Sequence, residues 1–278
     1  EAGARRQEAG AVGRTTADGG ASGTRANAQS SCLLPTAPAS CSCNEGIELS
    51  QMLLTQTQKK VIQRVVNVFE TGSPDGDYAS ISIYNDGPNN IRQITYGRSQ
   101  TTEYGNLRQL VEQYVLAGGL LSQQLLPYAN KVGSVPFTDD SNFRELLKRA
   151  AREDPLMRKT QDSFFDRVYY RPAIKWADKH GFVLPLSALV IYDSFIHSGS
   201  IVWVIRSMFP ENPPSEGGNE KAWTRAYVNA RHKWLGAHPR PVVRKTVYRT
   251  QCFKNEIQRG NWDLSQLPIY ANGILVSS

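Results

Sequence analysis

The sequence has no apolar run of the roughly 18 residues needed to cross a bilayer as a helix. Its longest apolar stretch, from Leu184 to Ile191, is interrupted by Pro185 and Ser187. Aromatic side chains are absent from the first part: none of the 5 Trp, 12 Tyr and 9 Phe precedes Phe69. Residues 1–47 are instead rich in Gly, Ala, Ser and Thr, with no hydrophobic period. Such a segment buries too little apolar surface to offset its chain entropy, so it reads as a tail or linker. The chain begins at Glu1 and shows no signal-peptide pattern, which suggests a processed, mature form.

Cysteine is scarce. Cys32, Cys41 and Cys43 cluster between tail and body, and Cys252 lies near the far end. The spacing at 41–43 does not suit zinc, and an even count predicts two disulfides in an oxidising compartment. The common catalytic signatures are also missing. There is no phosphate-binding G-x-x-x-x-G-K-[ST], no G-x-G-x-x-G, no H-E-x-x-H and no G-x-S-x-G. His180, His197, His232 and His238 lack metal spacing; His197 alone stands one helical turn from an acid, Asp193. These absences predict no metal and no cofactor.

What remains is a globular composition: 278 residues, 40% apolar and 21% charged, net +7. Residues 48–278 are numerous enough to bury a sizeable core, as one large domain or two lobes. Val61, Ile62, Val65, Val66 and Phe69 form a helical stripe, opened by a capping box at Thr55 and Gln58 and stopped by 71–76. Two strand patterns follow, 78–84 and 91–96, around the turn-forming run Asn85–Asn90. Helical patterns then cover 106–118, 139–151, 156–180, 186–197, 200–208, 217–235 and 243–258. The fold class is α+β, predominantly α-helical, with one small sheet.

Glu70 ends the first helix beside its apolar face. Burial disfavours a charge, so such a carboxyl keeps its proton more readily, as a general acid requires. A negative charge at a helix C-terminus opposes the helix dipole, so a purely structural role has no evident stabilising reason. A polar hairpin follows directly. Cleavage of a glycosidic bond by paired carboxyls needs this kind of pairing, one donor and one acceptor of protons.

With these features in order, the chain resembles the chitosanases of glycoside hydrolase families 46 and 80, in the lysozyme-like superfamily, over most of residues 55–278. The resemblance rests on the helix ending in Glu70 and on Thr95-Tyr-Gly97. It also rests on Tyr227-Val-Asn-Ala-Arg231, Arg249-Thr-Gln, Gly260-Asn-Trp-Asp-Leu264 and Tyr270-x-Asn-Gly273. It implies a two-lobed fold with a cleft between a small β-sheet lobe and a helical lobe. It implies endo-hydrolysis of β-1,4-glucosamine linkages with inversion, by a secreted monomer with no nucleic-acid or membrane partner. Glu70 is then the acid and Thr95 holds the attacking water. Tyr84 and Arg92 fall on sugar-binding positions, Glu103 or Asn106 on the position that meets the substrate amine. Asp193, Arg231 and Arg249 match a network that supports the base.

Position 90 departs from the pattern, because the base is expected there and the residue is Asn90. An amide cannot take a proton from water. Three accounts remain: Asn90 replaces a natural acid, Asp86 on the same turn supplies the base, or the chain binds saccharide without turnover. A peptidoglycan hydrolase is the enzymatic rival, since a basic protein suits an anionic wall. Chitosan is a polycation, so the acids Asp75, Asp77, Asp86, Glu103 and Glu112 are expected to make the site locally negative. The basic run from Lys221 to Arg259 reads as a solvated helix face with Arg231 and Arg249 turned inward.

Overall fold

The computed structural model describes residues 52–98 and 100–278. The tail at 1–47 and Cys32, Cys41 and Cys43 lie outside them. Helix α1 spans Gln56–Thr71. Its capping box forms as expected: Gln58 N donates to Thr55 Oγ1 at 3.1 Å and Thr55 N to Gln58 Oε1 at 2.9 Å. A cap of this kind contributes about 1 kcal/mol. The expected stripe is fully buried, and Gly72 ends the helix in the left-handed conformation, φ +73°.

Strands β1 (Ile81–Tyr84), β2 (Gln93–Tyr96) and β3 (Thr101–Thr102) form an antiparallel sheet in that order. Tyr84 pairs with Gln93, and Thr95 lies between Ser82 and Thr102. The helices that follow are α2 (Leu107–Leu116), α3 (Ser122–Ala129), α4 (Ser141–Glu153), α5 (Pro155–Phe165), α6 (Arg171–Lys179) and α7 (Pro185–Ser198). Beyond them come α8 (Trp203–Arg206), α9 (Glu220–Gly236), α10 (Pro241–Arg244), α11 (Val247–Arg259) and a terminal hairpin, β4 (Ile269–Ala271) with β5 (Ile274–Val276).

Several boundaries differ from the sequence reading. The segment expected as one helix over 156–180 is interrupted by a π turn at Asp166–Tyr170. The expected 243–258 helix splits into α10 and α11, because the chain turns at Lys245 and Thr246. Helix α3, strand β3 and the terminal hairpin lack a strong period and were not anticipated.

Two hydrophobic clusters account for the two lobes. One gathers Ile94, Tyr96, Leu110, Tyr114, Phe143 and Phe164, from the sheet and α2 to α5. The other gathers the α1 stripe with α7, α9, α11 and the terminal hairpin. Helix α7 is its axis: every residue except Phe195 is buried. A helix apolar on all sides belongs in a core, and α7 carries one acid into it, Asp193. His197 is also buried there, its Nδ1 3.4 Å from Ser198 Oγ.

Arg98 ties the lobes together. Its Nε donates to Asn67 Oδ1 of α1 at 2.8 Å, and its Nη1 reaches Asp162 Oδ1 of α5 at 2.6 Å. Cys252 is a free thiol, buried, and burial pushes its pKa up. A two-disulfide arrangement would engage Cys252, and that arrangement is not seen.

Candidate active site

Glu70 lies at the last turn of α1 and is 1% exposed. Its surroundings are charged rather than apolar, so the sequence argument from apolar burial does not hold for this carboxyl. Arg249 Nη2, from α11, donates to Glu70 Oε1 at 2.6 Å and to Phe69 O at 3.3 Å. Arg249 Nη1 donates to Asp193 Oδ1 at 2.6 Å, and Arg231 Nη1 from α9 to Asp193 Oδ2 at 2.7 Å. Four helices thus contribute one chain of buried charge: Glu70, Arg249, Asp193, Arg231. Burial works against the Arg249 charge, but the Glu70 and Asp193 carboxylates outweigh it and hold its pKa well above the usual value. The Arg249 guanidinium also stacks near the Phe69 and Tyr248 rings, 5.3 and 5.8 Å from their centroids. Tyr248 donates its hydroxyl proton to Phe69 O at 3.0 Å. Asp193, Arg231 and Arg249 come together as one network, but among the described residues it holds Glu70, the expected acid, and not the base it was expected to support.

The β1–β2 turn presents the second acid. Asp86 is half-buried; Gln93 Nε2 donates to its Oδ1 at 3.0 Å, and its Oδ2 is buried without a partner among the described residues. Burial raises the Asp86 pKa, and the Gln93 amide and a backbone N–H oppose that rise. Asn90 stands differently. It is exposed at the tip of the turn, in the left-handed region with φ +59°, as is Asn89 with φ +56°. Asparagine tolerates that conformation, so turn geometry accounts for both residues. Gly87 is required for a different reason: a Cβ there would come within 2.7 Å of Ile91 Cγ2 and 2.9 Å of Ile91 O.

Along β2 the residues alternate. Ile94 and Tyr96 join the core, which leaves Gln93 and Thr95 on the opposite face, both buried. The Thr95 hydroxyl is buried and unpartnered among the described residues. Tyr84, across from Gln93, is half-buried. Arg92 is exposed and pairs with Asp139 at 3.3 Å.

Glu103 is engaged within the protein. It is fully buried, and its two carboxylate oxygens accept the backbone N–H groups of Ile94 (3.0 Å) and Phe137. Those bonds stitch the hairpin to the loop before α4, so the residue braces the lobe. Asn106 is half-buried, and its Nδ2 donates to the hydroxyl of Tyr169 at 3.3 Å. Other acids expected near the site also have partners. Asp75 pairs with Arg64, Asp77 accepts from Ala79 N, and Glu112 pairs with Arg108. Asp86 is the member left facing the turn. Gln93 was missed from the sequence, although its i, i+2 spacing to Thr95 placed both on one strand face.

The family model described as Glycosyl hydrolase family 46 matches residues 64–269, a span that runs from the α1 acid to the terminal hairpin. The chain belongs to glycosyl hydrolase family 46. Among relatives of this family 46 member, a chitosanase of Bacillus subtilis (strain 168) is 25% identical over 228 residues, covering 76% of this chain and 81% of the relative. A family 46 chitosanase of Gynuella sunshinyii, solved in complex with chitotetraose, superposes with a TM-score of 0.66 at 22% identity. That match covers 80% of this chain and 98% of the other. Native chitosanase of Bacillus subtilis MY002 also gives 0.66 at 22% identity, over 81% and 100% of the two chains. At these identities the superpositions establish the shared fold: mostly helical, two-lobed, with a small antiparallel sheet.

Proposed function

We propose that this family 46 protein is an endo-acting chitosanase that hydrolyses β-1,4-glucosamine linkages with inversion. Glu70 is the general acid and Asp86 the general base. Glu70 gives its proton to the glycosidic oxygen as the bond to C1 breaks. Asp86 takes a proton from the water that attacks C1 from the other face, and the new hydroxyl at C1 is inverted. The observation that carries the reading is the contrast on the hairpin turn: Asp86 is a half-buried carboxyl with a buried free oxygen, whereas Asn90 is an exposed amide. Thr95, with its buried and otherwise unused hydroxyl, holds the attacking water; Tyr84 and Arg92 flank the sugar.

Arg249 fixes the Glu70 carboxyl through Oε1, so Oε2 is the oxygen that carries the transferred proton. Asp193 in turn keeps Arg249 in place, and Arg231 balances Asp193. No cofactor enters this chemistry. The chitosanase relatives and their chito-oligosaccharide complexes support the substrate class. A polymer of this size meets the enzyme outside the cell, and a monomer suffices because both acids come from one chain.

The test is product release from chitosan, with the first-formed anomer followed by NMR. Inversion at a β-linkage yields the α-anomer first. Initial β-anomer would refute inversion, and release from peptidoglycan but not chitosan would move the substrate to the cell wall.

A further inference from the structure

The Gln93 side chain is fully buried, and both ends of its amide are occupied. Its Nε2 donates to Asp86 Oδ1 at 3.0 Å, and its Oε1 accepts from Tyr104 N at 3.3 Å. An amide has one donating end and one accepting end. A backbone N–H can only donate, so Tyr104 selects the orientation that aims Nε2 at Asp86. The turn itself is closed by Gly87 N, which donates to Ile91 O at 3.0 Å. The Tyr104 ring packs against that turn, with Cδ2 3.3 Å from where a Gly87 Cβ would stand. Asp86 is therefore held by β2 and by the segment after β3 together, with Oδ1 engaged and Oδ2 left free.

We propose that Gln93 is a positioning residue: it holds Asp86 so that Oδ2 is the oxygen that receives the proton from water. The inference rests on the reading of Asp86 as the base. Gln93 also sets when that base is ready. An N–H bonded to a carboxylate favours the ionised form, whereas burial disfavours it. The groups acting on this carboxyl are the Gln93 amide and a backbone N–H, against burial. The nearby Arg92 is exposed and engaged with Asp139, and Tyr104 contributes a neutral ring and hydroxyl.

The test compares Gln93→Met, Gln93→Glu and Asp86→Asn with the parent chain in chitosan hydrolysis across the acid limb of the pH–rate profile, with melting temperature measured alongside. Both Gln93 variants should lose roughly 10- to 100-fold in kcat on that limb with little change in KM. The limb should move to higher pH in both. It should move further in Gln93→Glu, where a second carboxyl faces the first. Gln93→Glu keeps length and shape, so it reports even where Gln93→Met folds poorly. A lowered melting temperature with an unmoved acid limb would make Gln93 merely structural and overturn the proposal. Retained turnover in Asp86→Asn would instead overturn the base assignment on which it rests.

Discussion

Arg249 Nη2 lies 2.6 Å from Glu70 Oε1, although 179 residues separate them in the chain. The contact joins the end of the first helix to the start of α11, and Asp193 of α7 stands behind it, bonded to the same guanidinium. Glu70→Gln keeps the shape of the side chain and removes its ability to donate a proton from a carboxyl. Turnover of chitosan should fall by about three orders of magnitude or more, with circular dichroism unchanged. Near-parental turnover would remove Glu70 from the mechanism.

The turn offers a paired comparison. Asp86→Asn should abolish hydrolysis, whereas Asn90→Ala should leave kcat within about threefold, because an exposed amide contributes no proton acceptor. Asn90→Asp should bring no gain. A large gain in that variant would show that position 90 had lost the base, against the present assignment.

The Asp86 pKa is raised by burial. The base must be ionised to act, so activity rises as pH passes up through that pKa. The acid limb of kcat should therefore fall above the ordinary aspartate value of about 3.9. A limb at or below that value would contradict the burial argument.

Asp193→Ala should destabilise the protein more than any surface change, because it takes a carboxylate partner from two buried guanidiniums, Arg231 and Arg249. Breaking a buried ion pair on one side costs roughly 3–5 kcal/mol. Thermal unfolding should shift down by on the order of 10 °C. An unchanged melting temperature would mean that water or another carboxylate replaces Asp193.

Glu103→Gln separates a brace from a binding residue. Both Glu103 oxygens accept backbone N–H bonds, and an amide can serve only one of them. The loss should be about 1–3 kcal/mol in stability, with KM for glucosamine oligomers unaffected. A raised KM without a stability change would return Glu103 to the substrate site.

Much of this protein could be read from its sequence, because local rules suffice for local features. The α1 stripe from Val61 to Phe69 with its Thr55 cap, the two strands around a run of turn residues, and the long apolar α7 follow from periodicity and capping alone. Glu70 stood out because it closes an amphipathic helix. The family resemblance also implied that Arg231 and Arg249 group with Asp193. Only the tertiary structure decided which acids are available. Asp86 and Glu103 look equivalent as letters, but the turn leaves one oxygen of Asp86 unpartnered while the lobe consumes both oxygens of Glu103. Gln93 gained its place in the same way. The physical reason is that burial and hydrogen-bond partners are properties of packing between segments far apart in the chain, and no local pattern encodes them.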